Sequence, residues 1–128
     1  MPFRAGGAAA ASSAARTVPF GGWRRHPGRL RPKAGAVVRT TRPVLRWTRG
    51  PRGTSLYNVQ VYEVEGSRLR KVRSAFPTGT RLVLPPHRAL RAGRCYAWRV
   101  WPYRGSGYTP APLAVSDFCV RPRRGAVR

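Results

Sequence analysis

From about residue 31 onward, the hydrophobic positions of this chain come in short runs separated by turn residues. Val37 and Val38 form an apolar pair, and Val44-Leu45-Arg46-Trp47 is strand-like. Tyr57-Asn58-Val59-Gln60-Val61-Tyr62 alternates apolar and polar residues, the pattern of a strand with one buried face. Glu65-Gly66-Ser67 signals a turn, 69–76 a basic strand, Pro77-Thr78-Gly79 another turn, and 81–84 a strand that Pro85-Pro86 ends. The strongest strand pattern is 95–101, with Tyr96, Trp98 and Val100 on one face. Gly105-Ser106-Gly107 then turns the chain into a final strand at 113–120. No stretch carries a helical period. About seven short strands with regular turn signals predict an all-β antiparallel sandwich.

These residues resemble the fibronectin type III-like domain, in the divergent form found in secreted bacterial proteins. The matching stretches are Val44-Leu45-Arg46-Trp47, Tyr57-Asn58-Val59-Gln60-Val61, and Leu90-Arg91-Ala92-Gly93-Arg94-Cys95-Tyr96-Ala97-Trp98-Arg99-Val100. The resemblance covers roughly residues 31–121 and implies an immunoglobulin-like β-sandwich. The last stretch is the most specific: a Leu, a Gly and then the Tyr that opens the sixth strand. The resemblance implies a tyrosine corner at Tyr96, its hydroxyl bonded to a backbone group a few residues upstream. It also makes Trp47 the buried Trp of the second strand. With Leu90, and with Tyr57 and Trp98 from the alternation, these form the expected structural set. The family's usual role is a binding or spacer module without catalysis, and no particular ligand is implied. Its best-known adhesive tripeptide, Arg-Gly-Asp in the last hairpin loop, reads Arg104-Gly105-Ser106 here, so integrin-type adhesion is not carried over.

Alternation also assigns faces. Tyr57, Val59 and Val61 point inward, so Asn58, Gln60 and Tyr62 point outward. In the sixth strand Ala97, Arg99 and Trp101 are outward. If the third, sixth and seventh strands share a sheet, Tyr62, Arg99 and Trp101 lie on one open face beside Gln60. An aromatic beside a guanidinium suits stacking on planar groups; equally, Trp101 could cover a neighbour's aliphatic stem or pack on the N-terminal segment. Asp117 falls diagonal to Arg99, where a surface ion pair would contribute little. The Gly-rich turn with Tyr103, Arg104 and Tyr108 is a second candidate, a recognition loop at one end of the sandwich or simply a long hairpin.

A last hairpin centred on Gly107 places Cys95 and Cys119 directly opposite each other. Opposed Cβ atoms lie about 4.5–5.5 Å apart. A disulfide needs about 3.5–4.5 Å, which a non-hydrogen-bonded pair can reach. The alternatives are a cross-strand disulfide on the outer face, which favours an oxidising compartment, and two unrelated thiols.

Charge changes the picture next. The 128 residues hold 26 Lys+Arg against 3 Asp+Glu, a formal net charge of +23. All but two of the basic residues are Arg, as GC-rich coding favours, but that bias does not explain the missing acids. Such a chain attracts polyanions. Basic clusters occur at Arg68, Arg70, Lys71 and Arg73, at Arg88, Arg91 and Arg94, and at Arg121, Arg123 and Arg124. A solvated charged face explains any one of them equally well, and no nucleic-acid motif accompanies them. Residues 1–30 are rich in Arg, Ala and Gly and poor in bulky apolar side chains, so they read as a disordered segment. Their composition faintly resembles a signal or transit peptide, and is equally that of a segment preceding the true start. Residues 122–128 read as a basic C-terminal tail. No apolar run is long enough for a transmembrane helix.

Three carboxylates, Glu63, Glu65 and Asp117, exclude carboxylate-pair catalysis and Mg²⁺ or Ca²⁺ cages. Two His and two Cys at these spacings do not make a structural zinc site. No nucleophile elbow or phosphate loop is present. The expectation is a non-catalytic interaction module without cofactor, extracellular or envelope-associated. Its partner would be an anionic cell-surface polymer or a protein. The alternatives are a non-specific nucleic-acid binder, or a structural spacer without a dedicated ligand. Oligomeric state is left open.

Overall fold

The structure, a computed structural model, describes residues 29–123. The expected targeting segment and nearly all of the expected disordered flank (1–28), with most of the basic tail (124–128), lie outside the described residues.

Alternating side chains build the three long central strands. β3 (Leu56–Glu65) buries Tyr57, Val59, Val61 and Glu63, and β6 (Cys95–Arg104) buries Tyr96, Trp98, Val100 and Pro102. β8 (Ala114–Val120) sends Ala114, Ser116, Phe118 and Val120 to the same side, because they face the inward residues of β6. Around these lie β1 (Ala36–Val38), β2 (Leu45–Arg46), β4 (Arg68–Ala75), β5 (Arg81–Leu82) and β7 (Gly107–Tyr108). One sheet runs β1-β8-β6-β3-β4, with β7 paired to the tip of β6; the other is β2-β5. A bridge between Arg31 and Arg46 extends the small sheet.

The result is the expected all-β, immunoglobulin-like sandwich, with one departure. β1 pairs parallel to β8, whereas every other pair is antiparallel. The cause is the path of the chain. Arg31 bridges the small sheet, and five residues later the chain has crossed to the edge of the large one, where it runs alongside the last strand in the same direction.

The core fills the space between the sheets. Leu45, Trp47, Leu82, Leu84, Leu90 and Leu30 meet the inward residues of β3, β6 and β8. Trp47 spans the gap, edge-on to Tyr57 at 5.5 Å and tilted to Trp98 at 6.3 Å. Complete burial of a side chain of this kind stabilises by about 1.5–3 kcal/mol, so the five structural positions named from sequence are all buried here for the same reason. Leu30, at the end of the segment expected to be disordered, belongs to this core.

The last hairpin differs from its expected form at the tip. Cys95–Cys119 through Val100–Ala114 keep the register of a turn centred on Gly107. Beyond them Tyr103 faces Tyr108 and Arg104 faces Gly107, so the actual turn is Gly105-Ser106. Three extra residues on the returning side take up the difference within 109–113. That segment contains Pro110 and Pro112, which have no N–H to give a ladder. Gly105 has φ 66°, the conformation that a two-residue turn with Gly at its first position requires.

Candidate functional site

Cys95 and Cys119 are joined by a disulfide, their Cα atoms 3.9 Å apart. The Val120 N–H donates to the Arg94 carbonyl next to them, so alternation makes the cysteine pair the closely spaced, non-hydrogen-bonded kind. The bond staples β6 to β8 on the outer face of the large sheet.

That outer face is where the sequence placed its first binding candidate. The structure does bring Tyr62, Arg99 and Trp101 together. The Arg99 guanidinium carbon lies 5.5 Å from the Tyr62 ring centre and 5.2 Å from that of Trp101. Arg99 also donates to Gln60 Oε1 at 2.7 Å and to the Tyr62 hydroxyl at 2.9 Å. The Tyr62 hydroxyl donates to the same Gln60 oxygen at 2.6 Å, Gln60 donates to Asn58, and Asn58 donates to Ser74 and the Ala75 carbonyl. Tyr62, Arg99 and Asp117 each make further contacts beyond these. The face is less open than alternation suggests: Asn58, Ala97, Val115 and Asp117 are buried on it. The cross-strand neighbours of Ala97 and Val115 are Tyr62 and Arg99, long side chains that shield small ones on the same face.

Asp117 is a correction in particular. It is 2% exposed, so it is a buried carboxylate rather than the surface one that alternation suggests. Its carboxylate accepts the Gly35 N–H at 3.1 Å, and its carbonyl accepts the same N–H at 3.0 Å. The chain entering β1 passes close enough to cover it.

The second candidate, Tyr103, Arg104 and Tyr108, is also drawn together, but as strand rather than loop. Tyr103 and Tyr108 face each other across β6 and β7, their rings edge-on at 5.0 Å. Only Gly105 and Ser106 form the turn, the Ser106 N–H donating to the Arg104 carbonyl at 2.6 Å.

The charge clusters meet in a way the sequence did not announce. Glu63 is 1% exposed and lies at the end of the core. Arg94 Nε donates to it at 2.8 Å, Arg70 at 3.1 Å, and Arg91 Nη1 lies 3.5 Å away. Members of two separate sequence clusters therefore converge on one carboxylate. Glu63 shares the parity of Tyr57, Val59 and Val61, so an inward position was readable from the strand. The partner on β4 was not. The β3–β4 register shifts between Val61 and Tyr62, leaving Val72 as an extra residue and placing Arg70, not Lys71, opposite Glu63. Arg70 also bonds Glu65 at 2.8 Å, which lowers the Glu65 pKa and raises that of Arg70. The expected tyrosine corner closes the same cluster: the Tyr96 hydroxyl accepts the Arg91 N–H at 2.7 Å and lies 3.5 Å from Glu63. Burial, with Glu63 nearby, pushes the Tyr96 phenol above its ordinary pKa.

Among the described residues no group of His, Cys, Asp and Glu could hold a metal ion, and no helix is long and apolar enough to cross a membrane.

No protein-family model and no curated protein matches this chain. Among solved structures it is similar to the twitchin kinase region from C. elegans, a chain that includes Fn3 and Ig domains. The identity is 21% and the TM-score 0.46, over 67% of this chain and 15% of that one. The match thus spans a small fraction of the solved chain's length.

Proposed function

We propose that this protein is a non-catalytic interaction module of the fibronectin type III-like kind, extracellular or envelope-associated, that attaches to anionic cell-surface polymer. One observation supports this reading above others: where the three carboxylates lie. Glu63 and Asp117 are buried, and Glu65 is held by Arg70. The exposed side chains of Arg39, Arg68, Lys71, Arg81, Arg88, Arg121 and Arg123 therefore face solvent on a surface almost without acids. Such a surface gathers polyanions by releasing their counterions, with steep salt dependence. The disulfide adds support for an oxidising compartment.

The test joins location to chemistry. Cell fractions are trapped with a thiol reagent, and the protein is assayed for its Cys95–Cys119 bond in each. Purified protein is then titrated with cell-wall polymer, anionic vesicles and DNA over a salt series. An oxidised, envelope-located protein that holds wall polymer at physiological salt agrees with the proposal. A reduced, cytosolic protein whose affinity is greatest for DNA overturns it in favour of non-specific nucleic-acid binding.

A further inference from the structure

At one end of the sandwich a cleft of about 730 Å³ is lined by Arg39, Thr40, Thr41, Ala92, Arg121, Pro122 and Arg123. The parallel pairing of β1 and β8 creates it. Val38 is in register with Val120, so the next residues, Arg39 and Arg121, leave the sheet side by side. The Arg121 N–H bonds the Val38 carbonyl at 2.8 Å and holds the two ends together. Like charges in adjacent strand positions repel, and Arg123 adds a third. All three residues are exposed, and among the described residues the ion pairs of Glu63 and Glu65 go to Arg70, Arg91 and Arg94, none of them in this cleft. Thr40 and Thr41 bring hydroxyl groups to the same space, and Ala92 leaves room between the two segments.

Three guanidinium groups and two hydroxyls around one concave space are the donors that a tetrahedral oxyanion takes. We infer that this cleft binds a phosphate group carried on a flexible anionic polymer, an inference that rests on the polyanion reading above and gives it a location. Arg39 and Arg121 grip the phosphate oxygens, Arg123 closes over them, and the Thr hydroxyls complete the set.

The test compares Arg39→Gln/Arg121→Gln with Arg49→Gln/Arg52→Gln, an exposed pair that removes the same charge elsewhere on the surface. Inorganic tripolyphosphate, long-chain polyphosphate and single-stranded DNA are titrated at physiological salt. The cleft variant should weaken both polyphosphates by about tenfold or more, the loss of charge-assisted hydrogen bonds, while the control changes them by no more than about twofold. In the wild-type protein, tripolyphosphate should shift the amide NMR signals of Thr40, Thr41 and Ala92 before others, a readout that needs no variant to fold. Equal losses in both variants overturn the cleft but leave the general polyanion reading standing. A loss confined to DNA, with both polyphosphates bound as tightly as by the wild type, overturns it as well, because the phosphate chains then do not use the cleft. Absence of binding to all three probes by the wild type removes both readings.

Discussion

Replacing Glu63 with Gln removes one negative charge from a site where it is almost wholly out of water. The side chain is 1% exposed, whereas the side chains of Arg70, Arg91 and Arg94 around it are 50%, 61% and 40% exposed. That asymmetry sets the magnitude. Breaking a fully buried ion pair costs about 3–5 kcal/mol because a charge is left stranded. Here the stranded charges are arginines already half in solvent, which rehydrate when the carboxylate is gone, and losing the buried charge also relieves its desolvation. Gln keeps the shape, so no cavity term enters. Its amide nitrogen, however, is a donor facing donors. The expected loss is about 2 kcal/mol, which for about a hundred residues lowers Tm by roughly 8–15 °C. Urea titration followed by Trp fluorescence, with the disulfide intact, should show a lower midpoint at unchanged slope. Glu65→Gln, at an exposed position, should leave the midpoint where it is. A Glu63→Gln protein as stable as wild type, or more so, would show that desolvation cancels the attraction and would refute the claim that this carboxylate organises the arginines.

Three further outcomes follow from the same geometry. The disulfide closes a loop of 24-residue separation, so reducing it, or changing both cysteines to Ala, should cost about 3 kcal/mol by loop entropy; an unchanged urea midpoint would refute this. Tyr96→Phe keeps the ring but leaves the Arg91 N–H without its acceptor, at a cost of about 1–2 kcal/mol. Because burial raises the folded pKa of Tyr96 above its ordinary value of 10.0, its contribution is intact below that pH and is lost as pH rises through the higher folded value. Phenolate absorbance should thus show one late-titrating tyrosine that the Phe variant lacks, together with a shallower alkaline loss of stability. Ser116 is fully buried, and its hydroxyl has no partner among the described residues, so Ser116→Ala should be neutral or stabilising by up to about 1 kcal/mol. A clear loss of melting temperature would reveal a bond to that oxygen.

The strands were legible because a half-buried strand writes its burial into the chain with period two. Tyr57, Val59 and Val61, and Tyr96, Trp98 and Val100, read inward from sequence and are inward in the fold. The cysteine pairing was legible because a hairpin converts distance from its centre into facing positions. That same inference erred at the tip, since a prolyl segment absorbed three residues without any signal that the register had changed. The open face was read too simply: strand parity says which side a residue takes, but not what lies over it. Asp117 is on the outer side as expected and is buried nonetheless, because a chain segment more than eighty residues away in sequence crosses it.

The charge illustrates the same division. By itself the sequence determined the composition-level facts: a basic excess, three carboxylates, two His and two Cys, and an all-β alternation. These depend on residue identity and local period alone. Only the tertiary structure decided where the few acids went. It buried Glu63 among arginines from two distant stretches, by way of a bulge at Val72, and buried Asp117 beneath the approach to β1. It also set Arg39 beside Arg121, because two strand ends far apart in sequence run parallel and in register. Charge is counted along the chain, but its compensation depends on distances in space, and those exist only once the sheets have paired.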